Sequence, residues 1–225
     1  MPLGASGESQ MVNGHAEIFS AGAQAYNLRI GGSPQGARGT ATITVRDGGT
    51  FSGGNVYVGV GTGANGTVNV TGAGSTWTST NALYICIAGG TGNFNVTQGG
   101  SVVTQTWAFI GYGAGSNGHA VVSGPGSFWS AENTAFVGYL GGQGSLTLEN
   151  GGTFRTALNG VGRLAIGYSG SSNGTVNIGS GGAAGIFQGA GIYVNSGSTG
   201  KINFNHNESA HTFSSSLQGD LSVEQ

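Results

Sequence analysis

The 225-residue chain holds 49 glycines, only 6% charged residues and a formal net charge of −2. Three prolines and no every-third-residue glycine exclude collagen, 37% hydrophobic residues in ordered alternation exclude a Gly/Ser coil, and the scattered basic residues (Arg29, Arg38, Arg46, Arg155, Arg163, Lys201) argue against a nucleic-acid partner. One cysteine, Cys86, leaves neither a disulfide nor a cysteine-rich metal site, and no run of about 18 apolar residues forms a membrane-spanning helix.

What remains is a β-rich repeat protein with many tight turns, in which glycine supplies positive φ at low steric cost. The first ten residues, MPLGASGESQ, have neither a basic start nor an apolar core and do not read as a signal peptide. An exported protein would then have lost its signal, or the chain is an internal fragment with Met1 added. Residues 1–26 fit the later repeat poorly and are expected to form a divergent first coil or an N-terminal cap, because a solenoid end exposes both core and strand edge.

From residue 27 a period can be counted. One strand type ends in an apolar residue: NLRIG (27–31), NVYVG (55–59), ALYIC (82–86), WAFIG (107–111), TAFVG (134–138), RLAIG (163–167) and GIYVN (191–195). Its final apolar residues, from Ile30 and Val58 to Ile166 and Val194, recur 25–29 residues apart. A second type, represented by NGTVNVTG (65–72), has inner residues Val45, Val70, Val96, Val122, Leu148, Ile178 and Phe204 at 25–30 residues. Two independent markers therefore agree on a period of roughly 26. A shorter third piece follows a glycine pair in each unit, as in Ser75-Thr76-Trp77, and its weak alternation leaves open whether Thr76 or Trp77 faces inward.

Three short strands and three turns per unit predict an all-β fold. The expected architecture is a right-handed parallel β-helix (β-solenoid) of about seven to eight coils over 27–225, stacked about 4.8 Å apart. Right-handedness is the general preference of parallel crossovers. A propeller blade needs about 40 residues, and leucine-rich repeats need Leu and Asn at fixed sites. In 205–225, Phe213, Leu217, Leu221 and Val223 alternate with polar residues as though another coil has begun, so the array is expected to continue beyond the C-terminus of a longer protein.

Catalytic chemistry finds little footing. β-Helix enzymes that cut acidic sugars cluster carboxylates on one face, whereas Asp47 and Glu149, at equivalent turns, lie four coils or roughly 19 Å apart, against about 5–10 Å for glycosidase pairs. His15, His119, His206 and His211 read as surface residues. His206 and His211, five apart across a turn, are not expected to share a strand face. No Gly-Gly-x-Gly-x-Asp calcium repeat occurs, and GVGTGANG (59–66) is a turn without the helix a phosphate loop needs. No catalytic residue, cofactor or metal is expected.

Two outward columns stand out. Alternation places Arg29, Tyr57, Tyr84, Phe109, Phe136, Ala165 and Tyr193 outward on the first strand type. Tyr57, Tyr84, Phe109, Phe136 and Tyr193 form the candidate binding stripe, for sugar rings, peptides or another solenoid, with ring stacking as scaffold the competing reading. On the second type, Asn69 and Asn95 predict an inter-coil amide ladder.

The unit Gly-Thr-Val-Asn-Val-Thr-Gly-Ala-Gly-Ser-Thr-Trp (66–77), followed by Asn81-Ala82-Leu83-Tyr84-Ile85, resembles the repeat of bacterial autotransporter (type V secretion) passenger domains over roughly 27–204. The segment 200–223 resembles passenger stretches of the form Gly-x-Ile-x-Phe-Asn-His … Phe … Gly, and residues 1–26 loosely resemble Gly-rich repeats of self-associating adhesins of that class. The resemblance implies an exported, non-catalytic module at the bacterial cell surface or secreted, with adhesion or self-association as its function. Its partners would be itself or a host or matrix glycan or protein. Two further expectations are a subunit that polymerises end to end into an extracellular filament and, behind it, a polysaccharide-active β-helix enzyme.

Overall fold

The structure, a computed structural model, describes residues 8–33, 35–157 and 162–225. Alternating apolar and polar residues make strands, and every strand pairs in parallel with its equivalent one coil away. The chain is thus a β-solenoid with three faces. The first face carries 56–60, Leu83–Ile87, Ala108–Tyr112, Ala135–Tyr139, Leu164–Tyr168, Gly191–Tyr193 and Ser216–Gln218. The second is a nine-stranded sheet from Gly14–Ile18 through Asn65–Thr71 to Leu221–Glu224. The third carries Thr76–Ser79, Ser101–Thr104, Phe128–Ala131, Thr153–Thr156 and Ile186–Gln188. The strand Thr50–Val60 runs unbroken from the third face into the first.

The register bears out the counted period. Leu28, Val56, Leu83, Ala108, Ala135, Leu164, Ile192 and Leu217 make one column, at intervals of 28, 27, 25, 27, 29, 28 and 25. At the N-terminal side Glu8–Met11 pairs with the strand Ala23–Ile30, and Gly14–Ile18 with Thr40–Val45. The earlier part of that segment, residues 1–7, lies outside the described residues. At the other end Leu217 pairs with Ile192, Val223 with Ile202, and the Phe213 ring lies 6.2 Å from Phe187.

The irregular intervals have a local cause: two turn types alternate from coil to coil. Three-residue corners such as 47–49, 98–100 and 150–152 place left-handed φ on two consecutive residues (Asp47 and Gly48, Gln98 and Gly99, Asn150 and Gly151), closed by an i+3 backbone bond, as in Gly100 N to Thr97 O at 3.0 Å. This is the φ pattern of a type I′ turn. Four-residue corners such as 72–75 and 124–127 have left-handed Gly72 and Gly74, or Gly124 and Gly126, around a central Ala73 or Pro125, which is the φ pattern of a type II turn with proline at its favoured position. The corner between the first and second faces alternates likewise, with four residues at 61–64 and 113–116 and three at 88–90 and 140–142. A coil with two long corners advances 27 residues and one with two short corners 25. The 29-residue coil has short corners and four extra residues between Thr156 and Leu164.

Buried serines bind the two turn types together. Ser127 Oγ accepts Gly99 N–H (3.0 Å) from the preceding short corner and donates to Ser123 O (2.7 Å), and Ser116 Oγ does the same with Gly89 N–H (3.1 Å) and Tyr112 O (2.7 Å). Ser75 and Ser172 accept from Gly48 and Gly141.

The core is a set of stacked inward columns. Trp77, not Thr76, faces inward and is fully buried, as are Trp129, Phe51 and Phe154. Where the third face supplies the smaller Val102, the opposite strand supplies Phe94. Its ring fills the gap between Trp77 (centroids 5.8 Å) and Trp129 (5.3 Å).

Candidate functional site

On the first face the outward rings of Tyr57, Tyr84, Phe109 and Phe136 stack as the inter-coil spacing predicts, with centroids 4.9, 4.9 and 5.0 Å apart and planes within 9–11°. Parallel register forces this, because each ring sits directly over its equivalent in the next coil. Two outward residues are nonetheless buried: Phe109 is 7% exposed and Ala165 0%.

Their cover is a second row that strand alternation does not reveal: Tyr112, Tyr139 and Tyr168. After Ile110, Val137 and Ile166 the backbone passes through a left-handed glycine, Gly111, Gly138 or Gly167, and the next side chain emerges outward instead of inward. The sequence signal is the recurring Ile/Val-Gly-Tyr. Tyr112 meets Phe109 edge-on at 5.2 Å, Tyr139 meets Phe136 at 4.9 Å, and Tyr139 stacks on Tyr168 at 5.5 Å. Tyr193 does not join the ladder. Ala165 stands between it and Phe136, and it meets Tyr168 edge-on at 6.0 Å.

This geometry decides what the surface can do. Inside the ladder each ring face is occupied by the next ring, the outer face of Tyr57 lies under the Arg29 guanidinium at 4.2 Å, and Phe136 is met by Tyr168 at 5.2 Å. A pyranose stacks on a ring face, so the ladder is poorly suited to sugar stacking. It offers ring edges and tyrosine hydroxyls over a broad apolar strip, to which Trp107, 46% exposed, adds a protruding ring. Burial, and secondarily the neighbouring tyrosines, push the phenol pKa of Tyr84 and Tyr139 upward, so both remain neutral donors at ordinary pH. For Tyr193 burial is again the largest cause of an upward shift.

The second face carries the expected polar ladder: Asn95 Nδ2 donates to Asn69 Oδ1 at 2.9 Å, and Asn69 Nδ2 to Thr44 Oγ1 at 3.3 Å. Farther along, Asn177 Nδ2 donates to Thr147 Oγ1 at 3.1 Å. His119 belongs to this face, its Nδ1 2.7 Å from Ser145 Oγ, and burial lowers its pKa.

His206 and His211 share no strand face, as their spacing predicts, yet their rings meet. Neither lies in a strand, and the irregular chain after Phe204 folds back so that their rings are 4.7 Å apart, with Glu208 Oε2 3.3 Å from His211 Nδ1. No group of three or more His, Cys, Asp or Glu among the described residues is placed to hold a metal ion. Cys86 is fully buried with its thiol pKa raised by burial, a poor nucleophile. Among the described residues no helix is long and apolar enough to cross a membrane.

Comparison with known proteins gives one local likeness. A 74-residue stretch, 31% of the chain and just under three coils, is 42% identical to part of the Adhesin BmaC autotransporter of Brucella suis biovar 1 (strain 1330). The match spans 2% of that protein's length. No protein-family model matches the chain, and no solved structure matches it.

Proposed function

We propose that the chain is a non-catalytic adhesive segment of a bacterial surface protein and that it meets its partner side-on through the first face. The observation that carries this is the aromatic strip itself. Seven rings, Tyr57, Tyr84, Phe109, Phe136, Tyr112, Tyr139 and Tyr168, lie on one side of a chain with few charges. Six of the seven are half-buried and Phe109 is buried. The strip thus offers a contiguous row of ring edges at the surface, and contiguous apolar surface is typical of interaction sites. The local likeness to an adhesin and the solenoid fold support the same reading. The strip's edges and hydroxyls suit a protein surface, including a second copy of this chain, better than a glycan.

Beads coated with the purified protein test this, scored for aggregation with each other and for adhesion to immobilised matrix protein. Substituting Tyr57, Tyr84 and Phe136 with Ser, in a variant whose circular dichroism and cooperative unfolding are retained, is expected to lower adhesion at least tenfold. A folded variant that adheres like the parent would leave the strip as scaffold and remove the proposal.

A further inference from the structure

The ridge between the third and first faces is uneven. Thr76 to Leu83 and Ser101 to Ala108 each take seven residues across it, but Thr50 to Val56 takes six. At that short crossing the ridge drops and a notch of about 250 Å³ opens, with Gly53 and Gly54 as its floor and Gln24, Tyr26, Ser52 and Thr80 as its walls. The floor stays bare because a Cβ on Gly54 would lie 2.1 Å from Tyr26 O. Tyr26 is 65% exposed, and no aromatic or cationic group of the described residues stacks on it. The same ridge carries a projection. Trp107 shares a column with Asn55 and Ala82, each just before the paired Val56, Leu83 and Ala108. Its ring is 46% exposed and meets no other ring of the described residues. It stands one strand position past the Gly54 column, about 3.3 Å, and two coils beyond the notch, about 10 Å along the axis.

A notch and a projection on one ridge, with a single coil between them, form a self-complementary pair. A two-fold axis crossing the ridge at that middle coil, by Thr80 and Asn81 and at right angles to the solenoid, turns a second copy antiparallel and lays ridge on ridge. Each Trp107 then comes opposite the other copy's notch, which is the reciprocity a closed two-fold contact requires. The notch suits an indole. The ring face can lie on Tyr26, and the indole N–H finds an acceptor in Gln24 or Ser52. Residues 24–27, 52–55, 80–82 and 105–107 of the ridge include no charged side chain, so the copies meet there without burying an unpaired charge. Glu132, one coil past Trp107, comes opposite the coil of Gln24, whose amide can donate to it.

We propose that the notch is a socket for Trp107 of a second copy and that the chain pairs, antiparallel, through this ridge. Contact over five coils covers about 24 Å of ridge, on the order of 400 Å² per copy, or half of a standard interface. The pairing is therefore weak, with a Kd expected between about 10 μM and 1 mM, and it gains force where many copies share one surface. It goes beyond the adhesive reading, since it uses a surface other than the aromatic ladder and needs no partner but the chain itself.

Sedimentation equilibrium of the whole chain, taken to millimolar concentration, tests the pairing. Trp107→Ala removes the projection, and Thr80→Trp fills the notch with the chain's own side chain. Each is expected to weaken dimerisation tenfold or more. An equimolar mixture of the two variants regains one of the two contacts, because Trp107 of one copy enters the open notch of the other. That mixture is expected to associate at least threefold more tightly than either variant alone. Ser52→Trp takes the place of Thr80→Trp if the latter does not unfold cooperatively. A parent chain that stays monomeric at millimolar concentration, or a mixture no better than its components, would overturn the socket. Matrix adhesion that persists while no dimer forms sinks the socket alone, and a dimer with this complementation but no matrix adhesion sinks the adhesive reading alone.

Discussion

A single glycine column governs how closely the coils stack. At Gly111 φ is +79°, and a Cβ there would stand 1.9 Å from Gln143 O in the next coil; its equivalent Gly59 meets Thr91 O in the same way, at 2.0 Å. Cys86 occupies this column in the coil between them, at φ +70°, with its thiol donating to Gly90 O at 2.7 Å and accepting Asn117 N–H at 3.2 Å. One coil thus carries a side chain in a conformation that favours glycine. Gly111→Ala combines wrong-hand φ with a backbone collision, and we expect a loss of at least about 2 kcal/mol in urea unfolding. Gln98, at φ +52° in a type I′ corner whose equivalents are Asp47 and Asn150, goes the other way. Asparagine tolerates this region better, so Gln98→Asn should gain roughly 0.5 kcal/mol. Equal midpoints for Gln98→Asn and its parent would mean that the corner carries no strain.

At the scale of strands and corners, the legible features were those with a strict period. The Val and Ile columns alternate cleanly, so both register and core followed from counting, and so did the Asn69–Asn95 ladder. The third face hid its orientation because Thr76–Ser79 has polar residues on both sides of the sheet: Thr78 is half-buried and Ser79 is buried, accepting the Trp77 indole N–H at 3.2 Å. The row Tyr112, Tyr139 and Tyr168 was missed for another reason, since a left-handed glycine resets the inside–outside alternation on which the prediction relied. The meeting of His206 with His211 lay in chain without any period. Volume is shared across faces inside each coil, which makes a testable pair. Phe94→Val should open a gap between Trp77 and Trp129 and cost about 2–4 kcal/mol. Adding Val102→Phe, which refills the same layer from the opposite strand, is expected to recover at least half of it. A double variant no better than Phe94→Val would show that the two positions do not share a space.

For the whole molecule the repeating unit is two coils, not one. Long and short corners alternate through five coils, and each buried serine of a long corner takes its N–H partner from a short corner one coil earlier. A solenoid's stability is roughly a sum of coil terms and nearest-neighbour interface terms, so the order of unlike coils matters as well as their number. Deleting residues 83–107 removes one short-cornered coil and sets two long-cornered coils side by side. Ser116 and Ser127 then lose Gly89 and Gly99, at about 1 kcal/mol for each unmatched buried bond, and type II turns face type II turns. Deleting 83–134 removes a long and a short coil together, placing the 61–64 corner against 140–142 and preserving the alternation. The shorter protein is therefore expected to unfold at the higher urea concentration, in one cooperative transition. If the one-coil deletion proves the more stable, length alone governs this solenoid and the paired-coil unit has no energetic meaning.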